Sequence, residues 1–286
     1  MKLTCVTATF NAIKAGNRDR LIRCVESVAM LKTEHEHLIY DGASTDGSAE
    51  CLRELAGKFP DVKVVSEPDT GIYNALNKGV RDAKGEWFYV LGCDDYIAHP
   101  DLMDKLLDRV GDHVEIIATP VERDSGSTFF QSAKDLREIF HDVVICHQGM
   151  IVKTSVMRQM GGFDERYKIG ADEDLIVKTM LSNRAYAFAY EPFACFSSGG
   201  ANEKSQKNYS RDSVAILSRQ LGIRRGLMWK IYRGELVFPR GLVPYVFHAN
   251  GVVRRGAVRV FARSLKLLLR KLMYPVVVAT RSIRHG

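Results

Sequence analysis

The chain is poor in the residue arrangements that announce many common sites. Its six cysteines (Cys5, Cys24, Cys51, Cys93, Cys146 and Cys195) are dispersed and form no CxxC pair. That spacing argues against a zinc ribbon or a disulfide frame and predicts reduced, mostly buried thiols. No GxGxxG follows the first apolar segment and no GxxxxGK[ST] occurs anywhere, which disfavours a dinucleotide oxidoreductase and a P-loop NTPase. No apolar run reaches the roughly 18–20 residues needed to cross a bilayer. The stretch Leu242–Val253 is broken by Pro244, His248 and Asn250. Met1–Cys5 leads straight into an apolar segment without a signal-peptide core, so a cytoplasmic protein is expected. Acidic residues nearly vanish after Gly222: residues 222–286 hold fourteen Lys/Arg against the single acid Glu235. The remaining 27 basic and 33 acidic residues give the body about −6 and the tail +13, although the whole chain averages +7.

What is present is a folded α/β pattern. The 286 residues are 46% hydrophobic and 26% charged, ordinary values for one large domain with an appendage. Apolar runs at Leu3–Phe10, His37–Tyr40, Val62–Val65, Trp87–Leu91 and Val114–Ala118 read as strands. Between them, helical periodicity covers Arg20–Leu31, Ser48 (as cap) to Phe59, Ile72–Ala83 and a helix opened by Pro100. This β-α-β order predicts an open, mainly parallel sheet with helices on both faces, whose ligands sit beyond the carboxyl ends of the strands. Asp41 follows the second strand, Asp69 the third, and Asp94 with Asp95 the fourth, so three loops bring carboxylates to one edge. Acid-rich loops repel a bare phosphate. A phosphorylated ligand here calls for Mg²⁺ or Mn²⁺, held by one or two carboxylates plus phosphate oxygens.

Several segments, in order and spacing, carry a resemblance. They are Thr7-Ala8-Thr9-Phe10-Asn11, Asp41-Gly42-x-Ser44-x-Asp46-Gly47, and Glu67-Pro68-Asp69-x-Gly71-Ile72-Tyr73-Asn74-Ala75-Leu76-Asn77-Lys78-Gly79. Asp94-Asp95, His147-Gln148, Gly161-Gly162-Phe163-Asp164-Glu165 and Ala171-Asp172-Glu173-Asp174-Leu175 follow. Over roughly residues 1–200 the chain resembles family 2 glycosyltransferases of the GT-A fold, of the bacterial type that builds exopolysaccharide or lipopolysaccharide units. The resemblance implies a nucleotide-sugar-binding half (1–112), an acceptor-binding half (113–200) and a domain ending near residue 221.

By that resemblance Thr7, Thr9 and Asn11 wrap the nucleoside, and Asp41, with Ser44 in its loop, meets the nucleobase. Asp69, Gly71, Asn74 and Lys78 line the nucleotide pocket, with Lys78 near the diphosphate. Asp94 lies by the ribose and Asp95 ligates the metal. Cys93 occupies the first position of the family's Asp-x-Asp motif. Asp172 is the implied general base, with Asp174 as the second candidate and helix-capping acids as the alternative. His147 and Gln148 are expected at the acceptor or diphosphate. Displacing a nucleoside diphosphate from an anomeric carbon builds charge that a metal neutralises, while a carboxylate takes the acceptor hydroxyl's proton. One base opposite the leaving group implies inversion. The processive Gln-x-x-Arg-Trp motif is absent, since the tryptophans are Trp87 and Trp229, so addition of a single sugar is expected. By analogy Asp41 favours UDP or dTDP donors.

The tail supplies a second expectation. Val258, Phe261, Leu265, Leu268 and Leu272 recur by three and four, and Arg255, Arg259, Arg263, Lys266 and Arg270 form a parallel basic stripe. That pattern describes an amphipathic helix in the interface of an anionic membrane, where each basic residue contributes roughly 1 kcal/mol. Packing on the catalytic domain is the alternative, and no nucleic-acid motif accompanies the charge. A peripheral position on the inner face of the cytoplasmic membrane would suit a glycan or polyprenyl-linked acceptor. Two other functional readings remain: a sugar nucleotidyltransferase, and a non-catalytic adaptor for sugar nucleotides or membranes. The first is disfavoured because Thr9-Phe10-Asn11-Ala12 replaces the basic Gly-rich loop it needs.

Overall fold

A computed structural model describes residues 1–126, 128–129, 145–182, 184–198, 206–220, 222 and 225–232. The chain begins with β1 (Leu3–Thr9), α1 (Arg18–Ala29), β2 (His35–Asp41), α2 (Ser48–Lys58), β3 (Val62–Ser66), α3 (Ile72–Asp82) and β4 (Trp87–Val90). It continues with β5 (Tyr96–Ile97), α4 (Pro100–Arg109), β6 (Ile116–Ala118), β7 (Val121–Arg123), β8 (Thr128–Phe129) and β9 (Met150–Lys153). After these come α5 (Thr154–Gln159), α6 (Ala171–Leu181), β10 (Tyr186–Phe188), β11 (Ala194–Phe196), α7 (Gln206–Gln220) and α8 (Arg225–Tyr232).

Seven strands form the main sheet in the order β10-β6-β9-β4-β1-β2-β3. β1 runs parallel to both β2 and β4, and β2 to β3, so the carboxyl ends of these four strands share one edge, as the sequence predicts. The exception is β9, which pairs antiparallel with both β4 and β6. A second sheet, β5-β11-β7-β8, lies beside the first. Its strands are two or three residues long, too short for periodicity to reveal.

Helices cover both faces. On α3, Tyr73, Leu76 and Val80 recur on one side and bury against Val6 of β1 and Phe88 of β4. Gly79 permits this approach, because a Cβ there would stand 2.5 Å from Val6 Cγ1. On the other face Leu3, Cys5, Trp87, Tyr89 and Ile151 pack against α1 and α4 residues such as Val28 and Met103. Each fully buried side chain of this size contributes roughly 1.5–3 kcal/mol, and these layers hold the strand ends in register.

Three boundaries differ from expectation. Gly47, not Ser48, caps α2; Ser48 is the first helical residue and its hydroxyl accepts from the Ile13 amide at 3.1 Å. The strand expected over Val114–Ala118 is β6 and starts at Ile116. Of the strand-like run Val143–Ile145, only Ile145 is described, and it lies outside any strand. Met228 of α8 is buried among the α3-side core residues. The basic stripe at Arg255, Arg259, Arg263, Lys266 and Arg270 lies outside the described residues. Among the described residues, no helix is long and apolar enough to cross a membrane.

Candidate active site

The loops after β1, β2 and β3 interlock. Asn11, at φ 47°, and Ala43, at φ 60°, turn the first two loops toward each other. The Asn11 amide donates to Ser44 Oγ at 2.7 Å, and the Thr45 amide donates to Asn11 Oδ1 at 3.1 Å. Asp41 is buried at the centre of this knot. It accepts the Ser44 amide at 2.9 Å, the Ser44 hydroxyl at 2.5 Å and the Ser66 hydroxyl at 2.6 Å. The Asp41 carboxylate therefore splints the loops after β2 and β3. Thr7 is wholly buried, with its hydroxyl donating to the Leu91 carbonyl at 3.0 Å and facing His37 Nε2 at 2.9 Å. Thr9 is likewise buried.

Asp69 accepts the Gly71 amide at 2.8 Å. A Cβ on Gly42 would stand 2.9 Å from Asp69 Oδ2 and 3.2 Å from the Phe10 ring, so the bare glycine lets three loops meet. Phe10 is 64% exposed beside them. Lys78 pairs with Glu67 at 2.7 Å, and Asn74 donates to Glu165 at 3.1 Å, so both are engaged at the border of α3.

Next to this knot a cleft of about 1110 Å³, including the solvent at its mouth, is lined by Asp94, Asp95, His147, Gln148 and Asp172, with Tyr73, Phe163 and Lys168. Asp95 is 2% exposed. Its Oδ2 accepts from Gln148 Nε2 at 2.9 Å and its Oδ1 from the Ser197 amide at 2.8 Å. The Gln148 side-chain oxygen Oε1 in turn accepts from the Cys146 thiol at 2.7 Å, which sets the amide's orientation. Burial, reinforced by the neighbouring Asp94 charge, pushes the Asp95 carboxyl up to about 6. A Cβ on Gly92 would lie 2.5 Å from Asp95 Oδ2 and 3.2 Å from Asp94 Oδ1, so the two carboxylates converge over a residue with no side chain.

This donor set fits a hard divalent cation. Two carboxylates supply oxygen ligands, and Mg²⁺ or Mn²⁺ completes its shell from water and substrate phosphate. Among the described residues no group of three or more His, Cys, Asp or Glu side chains is placed to cage a metal alone. Cys93 adds no hard ligand: burial and then the Asp94 charge push its thiol up to about 12, so it stays protonated.

Asp172 stands in the first turn of α6, which Gly170 caps. Its Oδ2 lies 2.9 Å from His147 Nδ1 and its Oδ1 3.0 Å from the Tyr73 hydroxyl, which also contacts the Ile169 carbonyl. Burial alone would raise the Asp172 pKa, but the bonds from His147 and Tyr73 outweigh it and hold the carboxylate below its ordinary value. Burial lowers the His147 pKa, but the hydrogen bond and charge of Asp172 prevail and hold the imidazole above its ordinary value. Asp174 turns away from the cleft, pairing with Lys178 at 2.7 Å and accepting from Gln220 at 2.7 Å.

Two sets stand out among the expected residues. Asp94, Asp95, His147, Gln148 and Asp172 share the cleft, whereas Thr7, Asp41 and Asp174 spend their polar atoms on internal bonds. Sequence reasoning overlooked Tyr73 and Ser197. Tyr73 stood inside a motif but reads there as an ordinary aromatic of a helix face. Ser197 follows a three-residue strand and carries no signal at all.

Similarity to known proteins follows the same lines. The family described as glycosyl transferase family 2 matches residues 4–159. A PGL/p-HBAD biosynthesis glycosyltransferase of Mycobacterium tuberculosis is 27% identical over 171 residues, covering 58% of this chain and 66%, just under two thirds, of that relative. Escherichia coli chondroitin synthase is 26% identical over 166 residues, 55% of this chain and 24% of that protein. Among solved structures, S. aureus TarS 1–349 in complex with UDP-GlcNAc superposes with a TM-score of 0.63 at 17% identity, covering 93% of this chain and 81% of that one. The mannosyltransferase PcManGT from Pyrobaculum calidifontis, in complex with GDP-Man and Mn²⁺, gives 0.59 at 16% identity, covering 100% and 81%. Those two likenesses show a shared GT-A fold. The family match, which spans more than half of the sequence and includes β1 to β4 with their acidic loops, places the chain in glycosyl transferase family 2.

Proposed function

We propose that this protein transfers a single sugar from a nucleoside-diphosphate sugar, UDP- or dTDP-linked, to a hydroxyl of a glycan or polyprenyl-linked acceptor, with inversion, in cell-surface polysaccharide synthesis. The observation that carries this reading is a single cleft that gathers both groups. The converging carboxylates Asp94 and Asp95 and the paired Asp172 and His147 line it together. The first pair would hold Mg²⁺ or Mn²⁺, which when bound supplies charge to offset the negative charge growing on the departing diphosphate. The second pair takes the proton of the attacking hydroxyl, a step that contributes typically 10²–10⁴-fold. A single proton-accepting pair beside a single diphosphate site supports in-line displacement; double displacement would need a further carboxylate as nucleophile. The knot around Asp41, with Gly42, Asp69 and exposed Phe10, forms the nucleoside end.

The solved neighbours support a nucleotide-sugar donor, since they hold UDP-GlcNAc and GDP-Man, and the second also holds Mn²⁺. The basic stripe of the tail supports a peripheral place on the inner face of the membrane, next to a lipid-linked acceptor. Product analysis tests the reaction class. Incubation with UDP-, dTDP- and GDP-sugars and Mn²⁺ should release nucleoside diphosphate. Release of pyrophosphate would instead identify a nucleotidyltransferase, and binding without turnover a non-catalytic adaptor.

A further inference from the structure

The cations on the elements around the cleft are already matched to acids. On α3, Lys78 pairs with Glu67 at 2.7 Å, and on α6, Lys178 pairs with Asp174 at 2.7 Å. Arg166, in the loop before α6, and Arg219 of α7 both pair with Asp164, at 2.6 and 2.8 Å. His147 stands 2.9 Å from Asp172. Lys168 is different. It is exposed and lines the same cleft as Asp172, yet it makes no hydrogen bond or ion pair among the described residues.

The backbone that carries Lys168 is nevertheless fixed on both sides. The Tyr167 amide donates to the Asp164 carbonyl at 3.0 Å. The Ile169 carbonyl contacts the Tyr73 hydroxyl, which also lies 3.0 Å from Asp172 Oδ1. Tyr73 thus joins the Lys168 loop to the carboxylate at which the acceptor hydroxyl loses its proton, so this ammonium belongs to the frame of the acceptor end. The donor's diphosphate has a separate partner, the cation that Asp94 and Asp95 would hold. Beside a neutral sugar, an ammonium exchanges water for a hydroxyl at little net gain, whereas beside an anion it forms a charge-assisted hydrogen bond. The fixed backbone limits the ordering cost of that bond.

We propose that Lys168 is a specificity-determining residue of the acceptor end. It grips an anionic group of the acceptor near the hydroxyl that receives the sugar, and the site therefore selects a charged acceptor over a neutral one. This rests on the functional reading above and narrows its acceptor class. A phosphate on a lipid carrier and the carboxylate of an acidic sugar offer the same chemistry to the ammonium.

Binding to the full-length protein saturated with Mn²⁺ and UDP tests the assignment with two matched pairs of probes. Farnesyl phosphate is compared with farnesol, and methyl glucuronoside with methyl glucoside. In at least one pair the charged member should bind about tenfold or more tightly than the neutral one. Lys168→Met should erase that preference and Lys168→Arg should keep most of it, while Mn²⁺-dependent UDP affinity stays within about threefold in both variants. The pair that shows the effect identifies the lipid phosphate or the acidic sugar as the source of the anion. Equal binding of charged and neutral probes by the wild-type protein, or a preference that survives Lys168→Met, would overturn the proposal. A tenfold loss of UDP affinity in Lys168→Met would also overturn it, by moving the ammonium to the donor's diphosphate. The readout needs no turnover. A wild-type protein that shows the preference but releases no nucleoside diphosphate from any donor would therefore fault the functional reading and not the role of Lys168.

Discussion

Gln148 Nε2 donates to Asp95 Oδ2 at 2.9 Å, with both side chains buried, and this bond ties the turn before β9 to the loop after β4. It is an orienting contact behind the expected cation site. Groups of this kind commonly change metal affinity by 10–100-fold when removed. Gln148→Ala should therefore weaken Mn²⁺-dependent UDP binding about tenfold, alongside a stability loss of about 1–3 kcal/mol from the buried Asp95 oxygen it leaves unpaired. Titration calorimetry with and without Mn²⁺ reads this directly, and unchanged affinity would show that Asp95 needs no such support.

The Asp95 carboxyl, pushed up to about 6 by burial and the Asp94 charge, sets a pH dependence. A proton competes with a cation for the carboxylate, so cation-dependent nucleotide binding should be full above pH 7. It should fall by up to about tenfold per unit as pH drops below 6. Asp95→Asn should abolish the Mn²⁺ dependence at every pH. Binding that stays constant between pH 7.5 and 5 would count against Asp95 as a ligand.

Asp172→Asn should separate binding from chemistry. The residue lines the same cleft but contacts His147 and Tyr73, not the converging carboxylates. Donor affinity should hold within about threefold while turnover falls at least ~100-fold. Comparable losses in both would mean that the change had disturbed the cleft as a whole.

Glu36 offers a test of stability away from the site. It is buried and bonded to Lys63 at 2.8 Å, the Lys84 amide at 2.8 Å and the Thr4 hydroxyl at 2.9 Å. Burial pushes its pKa up, but these partners outweigh it and the folded-state pKa lies below the ordinary value. A depressed carboxyl contributes stability above its unfolded pKa, and that contribution is lost as pH falls through the folded one. Glu36→Gln should cost about 1–3 kcal/mol at pH 7. It should also flatten the loss of stability below about pH 4.5. Denaturant melts from pH 7 to 3 would show both.

For the tail, the buried Met228 in α8 means that a truncation must start after Tyr232 to spare the core. The protein ending at residue 232 should fold and bind nucleotide but no longer sediment with vesicles containing anionic lipid. The full chain should sediment, less so at high salt. Sedimentation of the truncated form would move the membrane contact into the body.

The loops at the strand ends were readable in the sequence because each is a run of turn-forming and acidic residues after an apolar segment. Asp41, Asp69, Asp94 and Asp95 fell on one edge for that reason. The same logic could not tell that Asp41 would turn inward to bind Ser44 and Ser66, or that Thr7 would face His37 in the core. Both outcomes depend on side-chain directions in a strand buried on both faces, where alternation carries no information. The antiparallel β9 was equally hidden, since a four-residue strand does not declare its direction.

The sequence by itself determined the family, the mainly parallel sheet and the sheet edge that gathers carboxylates, because all three follow from apolar periodicity and from the order of short motifs along the chain. Only the tertiary structure decided which of those acids share one cleft and what each touches. Tyr73 meets Asp172 across 99 positions, and Gln148 meets Asp95 across 53. Such pairs come from helices laid on a sheet and a turn passing between its strands, and they form when the core closes, so no local stretch of sequence encodes them.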